Sequence, residues 1–513
     1  MKRSMRQRLA RNKTRIERRL RRLRKRNAKK TGYGRPCLDS SSLKFELSDR
    51  SRGIAYGGIA LMHRLAHETG LVSAINRHLR LFKFPLPYFE SDHVLNLAFN
   101  ALCGGRCLED IELRRNDEAF LDALGTETIP DPTTAGDFCR RFRSERDIRS
   151  LMAGIDEARL NVWRRQPDDF FERAIIDMDG SLVITNGECK QGMDISYKGT
   201  WGYHPLVVSL ANTKEVLSLV NRSGNRPSEE GAASEADRAI GLCRQAGFRR
   251  ILLRGDTAFS QTQHLDRWDA DDIGFSFGYA SYKTLEITAE QLPNSAWQKL
   301  VKAPRTDSPT KRRRRPRKVK RKIVREREYE NLRLKSEYVA EFEYQPHACK
   351  QPYRMVVVKK NISKEKGDYV LFDDVRYFFY ITNDWDAPAA EVVQVCHERC
   401  DQENLIAQLG DGVRSLSAPV DNLLSNWAYM VMTSLAWTLK SWAGLLLPVS
   451  PRWREKHEAS RRDLITMEFR TFLNHFICIP CQVLTQARRT VLRVLNWNPK
   501  LPTFFRLCDV LRC

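Results

Sequence analysis

A chain of 513 residues is too long for one ordinary domain and points to two to four. Its apolar share of 42% is enough to bury real cores, which excludes a disordered tail protein. Lys and Arg number 87 against 63 Asp and Glu, a formal charge of +24. That surplus is clustered and Arg-rich, so the expected partner is a polyanion, nucleic acid before an anionic membrane surface. The charged N-terminus lacks the apolar run of a secretory signal, and the 13 cysteines have no paired spacing. They read as reduced thiols of a cytoplasmic protein. His475, Cys478 and Cys481 have ligand-like spacing, but no second CxxC pair completes a zinc site, so buried thiols are the better reading.

The first thirty residues hold 16 Lys or Arg and one acid. Self-repulsion predicts an arm (residues 1–50) that is disordered alone and condenses on phosphates. From 51 to 165 apolar residues recur at three- and four-residue spacing in VLNLAFNALCGG and DIELRRNDEAFLDALG, predicting short helices. Asp131-Pro132-Thr133-Thr134 supplies a cap before AGDFCRRFRS, whose Arg140, Arg141 and Arg143 suit a helix-turn-helix-like DNA reader.

Between 166 and 280 the texture becomes α/β: AIIDMD, LVITN, PLVVSLAN and LLRGD predict strands, and SEEGAASEADRAIGLCRQAGF predicts a helix. Residues 281–370 look like an insertion, a β-rich subdomain that carries the basic run KRRRRPRKVKRKIVRER. Helical pattern resumes at Ala389 within a second catalytic segment (371–450), and a helical C-terminal region (451–513) closes the chain. The stretch Leu423–Leu447 is long enough to span a bilayer, but it carries Asn426, Lys440 and several hydroxyls, so it reads as a core helix. No membrane partner is expected.

Three acids stand out by context. Asp179 ends the strand AIIDMD, so its carboxylate emerges at the strand's carboxyl end, where α/β sheets place ligands. Asp177 points to the same face and competes with it. Asp256 ends ILLRGD in the same manner. Alone, each also reads as a turn former or helix cap. Glu403 lies in CHERCDQENLIAQL, one helical turn after Arg399, with Leu405, Ile406 and Leu409 marking the buried side. Alone, that pair reads as a surface salt bridge. Together, three carboxylates from two strand ends and a helix match what hard divalent ions need in phosphodiester chemistry.

The order DMDGS, LLRGDTAF and a helix with R-x-x-x-E-N-x-I resembles the DDE transposases of bacterial insertion sequences, over about residues 173–447. The resemblance implies a ribonuclease H-like catalytic domain with a β-rich insertion, preceded by an all-α region that binds the element's ends. It implies Asp179, Asp256 and Glu403 as catalytic metal ligands for Mg²⁺ (Mn²⁺ substituting), with Asp177 a further candidate. Arg399 matches a phosphate-contacting arginine, and Arg254, Arg140 and Arg141 are counted with it as DNA contacts. Tyr377 and Phe378 are candidates by position for stacking a flipped base. Two departures stand: Cys396 replaces the family's Tyr three residues before the arginine, and Gly410 replaces its Lys seven residues after the glutamate.

The expected function is cut-and-paste transposition. The partners are double-stranded DNA, as terminal repeats and target, and a second copy of the chain in the DNA complex; no small-molecule substrate is expected. Rival readings are a decayed, purely DNA-binding descendant, a stand-alone metal-dependent nuclease and, remotely, a glycosidase, which would leave both basic blocks without a role.

Overall fold

The computed structural model describes residues 3–30, 45, 51–187, 189–301, 330–366, 369–486 and 489–513. The basic run of the insertion lies outside the described residues. Around one large mixed sheet the chain folds as a mixed α/β protein.

The strands of that sheet are, in chain order, β1 (Arg173–Gly180), β2 (Leu206–Leu210), β3 (Glu215–Val220), β4 (Arg250–Gly255), β5 (Ile273–Tyr279), β6 (Gln298–Lys299), β7 (Glu330–Tyr344), β8 (Tyr353–Lys366) and β9 (Tyr369–Thr382). Across the sheet they run β6-β7-β8-β9-β5-β4-β1-β2-β3. β1, β4 and β5 are parallel neighbours, as strands joined through helices must be; every other pairing is antiparallel. The predicted helix after β3 forms as Ala232–Ala246 and ends at Gly247, whose φ of +101° suits glycine.

Three expectations shift. The segments YVLFDD and RYFFYITN, expected as two strands, form one continuous strand, β9. β9 pairs directly with β5 and extends the central sheet. LVITN contributes only the two-residue strand Val183–Ile184, the start of a hairpin. The C-terminal region is not purely helical: Cys481–Gln486 and Arg489–Val494 form a hairpin, which also pairs with Arg52–Ile54. Three-residue Arg52–Ile54 is too short to show a period.

The basic arm also departs from expectation. Arg3–Lys30 is a helix, whose Leu9 is buried and whose Lys13 ammonium sits 5.5 Å from the Trp497 ring centre. Straight-chain Arg, Lys and Leu are good helix formers, and an apolar anchor against the C-terminal region offsets repulsion that solvent already screens.

Leu423–Leu445 is a core helix, buried on nearly every side from Ser425 onward. It packs on the helices Glu90–Leu102, Glu145–Trp163 and Arg454–Thr466 and on β3. Among the described residues, no helix is long and apolar enough to cross a membrane. Several polar residues of Leu423–Leu445 are satisfied within the protein: Asn426 donates to the Val420 carbonyl at 3.0 Å and Lys440 to the Ile465 carbonyl at 2.7 Å. Trp442 donates to the fully buried Glu215 carboxylate (2.7 Å), which also accepts from Trp163 (2.9 Å) and Arg159 (3.1 Å). Glu215 thus ties β3 to a helix from each side of the chain.

Removing one partner of a buried pair strands the other charge. Glu215→Ala should lower unfolding stability by about 3–5 kcal/mol, and Glu215→Gln by less, measured by chemical denaturation.

Candidate active site

The pairing of β1 with β4 sets Asp177 against Arg254 in register. Two residues further on, Asp179 at the end of β1 therefore faces Asp256, the residue that follows β4. Parallel neighbours lie about 4.8 Å apart, so these carboxylates share one rim of the sheet. Asp256 caps the turn Thr257–Phe259, accepting from the Ala258 N–H at 2.9 Å. Asp179 accepts from the Gly180 N–H at 2.8 Å.

The helices Ala389–Glu398 and Cys400–Ala407 meet at Arg399 and cross this rim. Arg399 reaches Asp179 Oδ2 at 3.2 Å and Glu403 Oε1 at 3.3 Å, bridging strand and helix. The Arg399 and Asp179 side chains are mostly buried, whereas Glu403 is 60% exposed. Burial pushes the Asp179 carboxyl up to about 6; Arg399 opposes the rise, and the negative Asp256 and Glu403 add to it. Asp179 thus feels the charge of both other acids.

With Arg399 between Asp179 and Glu403, no group of three or more His, Cys, Asp or Glu among the described residues has metal-holding spacing. The donor set nonetheless suits a hard cation: two facing carboxylates at a sheet rim, one of them desolvated and resisting its charge, and a third whose side chain is free to turn. A divalent ion would offset the burial that lifts Asp179 and the smaller repulsion from its two acidic neighbours.

Asp177 and Arg254, expected as a further ligand and a DNA contact, are committed to each other in a buried bidentate pair (2.7 and 2.8 Å). Arg254 also donates to the Val395 carbonyl, at 2.9 Å. Both lie beneath the rim, where they fix the strand pairing and the approach of the Arg399 helix. In the helical region Arg140 is exposed and bonded to Asp137 and Asp421, and Arg141 lies over the Phe82 ring at 4.8 Å. The capping expectation is met, since Asp131 accepts from the Thr134 N–H at 2.8 Å. In β9, Tyr377 packs half-buried on Trp297, while Phe378 is exposed with the Lys360 ammonium 4.3 Å from its ring centre. Cys478 is exposed and Cys481 buried; both are free thiols.

Sequence reasoning missed Gln402. It is buried, donates to the Val207 carbonyl at 3.0 Å and accepts from Ser209, anchoring the glutamate helix to β2. Val207 stands directly across from Asp179. The signal was present: Gln402, Leu405 and Leu409 repeat at helical spacing on the buried face.

The departures from the family pattern have local explanations. Cys396 is buried in a small core with Leu300, Val339, Val356 and Val358, under the insertion strands, where a compact apolar side chain packs. Gly410 lies in the turn Gln408–Gly412, and a Cβ there meets nothing within 4 Å.

A carboxyl whose folded value is raised loses its stabilising contribution as pH rises through that value. Asp179→Asn should therefore stabilise the metal-free protein on the order of 1–2 kcal/mol at pH 7.5. The advantage should shrink as pH falls below about 6, as measured by thermal unfolding across that range.

Among curated proteins none matches the chain. A solved piggyBac transposase synaptic complex with hairpin DNA matches at 10% identity over 83% of this chain and 84% of that one. Its TM-score is 0.34, a likeness too distant to carry an argument about this chain. The family described as transposase DDE domain, group 1, matches residues 52–512, which is nearly the whole sequence. The chain belongs to this family of DDE transposases.

Proposed function

We propose that this protein is a metal-dependent DNA transposase that cuts its element at the terminal inverted repeats and joins the freed ends to a target. One observation carries the reading: the β1–β4 register, continued two residues past Asp177–Arg254, brings Asp179 and Asp256 to one rim, where Asp179 feels the Asp256 charge and Arg399 bridges Asp179 to Glu403. The strand order β3-β2-β1-β4-β5, with β1, β4 and β5 parallel, is the order we read as ribonuclease H-like.

Asp179, Asp256 and Glu403 would hold Mg²⁺, or Mn²⁺ in its place, once Arg399 releases Asp179. Bound there, the ions supply an activated oxygen nucleophile and stabilise the leaving oxygen of a phosphodiester. The chain's own residues divide the remaining work. Arg399, freed from Asp179, is positioned to take a phosphate oxygen, a contact suited to a guanidinium. Gln402 holds the glutamate helix against β2 while the carboxylate turns. Water first nicks the DNA at the element end, and the exposed 3′-hydroxyl then attacks a second phosphodiester.

The helical region before β1 would read the element end, with Arg140 and Arg141 among its contacts and the basic arm gripping flanking phosphates. Tyr377 and Phe378 lie on the insertion strand that continues the catalytic sheet, and Phe378 with its lysine suits a base-stacking role. We further propose action as a dimer on DNA, in the cytoplasm at the nucleoid.

Cleavage of a labelled duplex carrying the element end tests the reading. Wild type should cut at the boundary only with Mg²⁺ or Mn²⁺, and Glu403→Gln should bind but lose at least about a thousandfold in rate. End binding without cutting by the wild type would identify a DNA-binding descendant instead. The open space at Gly410 yields a second prediction. Gly410→Lys should fold normally and tighten DNA binding, steepening the dependence of log affinity on log salt by about one unit.

A further inference from the structure

Between Gly180 and Leu206 the chain leaves the large sheet and builds a small three-stranded one from Val183–Ile184, Asp194–Ile195 and Trp201–Tyr203. Val183 pairs with Tyr203, just beyond the pairing of Gly180 with Leu206. The small sheet therefore prolongs the β1–β2 pair outward past the catalytic rim.

Its tip presents unusual side chains to solvent. Tyr197 is 77% exposed, Trp201 50% and Ile195 46%. Ile195 stands directly across from Trp201, so the two share one face, and the Lys198 ammonium lies 5.4 Å from the Tyr197 ring centre. Isolated apolar residues on a surface need no explanation, but two aromatics and an isoleucine on one hairpin do.

Nor is this a slack loop. Ser196 and Thr200 close the turn through their hydroxyls at 2.7 Å and through Ser196 N–H to the Thr200 carbonyl at 2.8 Å, and Gly199 takes the φ of +72° the turn requires. Asn225 donates to Asp194 at 2.6 Å, and the Tyr203 hydroxyl donates to the Gln191 carbonyl at 2.8 Å. At Gly202 and Gly224 the backbones pack too closely to admit a side chain. Polar contacts thus hold the aromatic rings outward, at low conformational cost to whatever they meet.

We propose that Tyr197 and Trp201 form a stacking platform for unpaired DNA bases beside the scissile phosphate, with Lys198 against the backbone; the proposal rests on the transposase reading above. The occupant follows from place and chemistry. Trp201 lies six residues along the chain from Val207, the strand partner of Asp179, so its Cα stands at most about 20 Å from that of Val207. That span corresponds to about six steps of a DNA strand. Exposed rings beside a lysine suit bases of any sequence, because every base offers a π-face.

The test uses the full chain carrying Glu403→Gln, so that bound DNA stays intact. It compares a fully paired element-end duplex with one of the same sequence forked over about six base pairs at the cut site. Tyr197→Ala with Trp201→Ala should weaken binding of the forked end about tenfold or more, while affinity for the paired duplex changes less than about threefold. Trp201→Phe alone should keep most of the forked-end affinity. Equal effects on both probes, or none, would overturn the platform. A double variant that loses self-association by light scattering yet binds forked DNA normally would also overturn it, and would make the patch a contact between copies. If the parent chain binds neither probe, the transposase reading falls together with the platform.

Discussion

Parallel pairing of β1 with β4 is the constraint from which the acidic rim follows. Because side chains alternate along a strand, a slip of one residue would turn Asp179 to the opposite face of the sheet. The buried pair Asp177–Arg254 resists that slip: any other register would leave two charges without partners in the interior, at a cost of several kcal/mol. Arg254 extends the constraint by holding the Val395 carbonyl, which seats the helix that leads to Arg399. A single guanidinium thus fixes the strand register and the approach of the third acid. The rim above it is left with Asp179, whose charge is disfavoured by burial and by its acidic neighbours, a strain suited to a site that gains a cation in use.

The rest of the architecture protects this arrangement. Glu215, buried and bonded from three directions, joins β3 to helices that lie far apart in sequence, so the helical region before β1 and the long core helix after the site cannot move independently of the sheet. On the other side, β9 continues the sheet from β5, so β7, β8 and β9 share its hydrogen-bonded frame. The most exposed of the three acids is Glu403, at the end of its bridge to Arg399. That bridge is what separates the present arrangement from a three-acid cluster.

Much of this was legible in the sequence, for physical reasons that differ by element. Strands β1 and β4 were readable because short apolar runs ending in Asp-Gly or Gly-Asp punctuate themselves. The core helix Leu423–Leu445 was readable because its apolar residues run on all sides and its few polar ones interrupt any bilayer reading. The roles of Asp177 and Arg254 were not. A buried ion pair between residues 77 apart in the chain looks, in sequence, like two more charged residues near a site. The helical arm was missed because charge density argued against it, while its apolar anchors among the described residues are Leu9 and the partly buried Met5. The C-terminal hairpin was missed because one of its sheet's three strands comes from three residues at the other end of the chain. Gln402 was hidden behind the acid beside it.

The most direct test of the account is whether Asp179, Asp256 and Glu403 hold one metal centre. Crystals of the full chain soaked in Mn²⁺ would answer through the anomalous signal of the ion. The account predicts a peak between the Asp179 and Asp256 carboxylates, with Arg399 moved off Asp179 and Glu403 turned inward. A manganese peak elsewhere, with the Asp179–Arg399 contact intact, would contradict it.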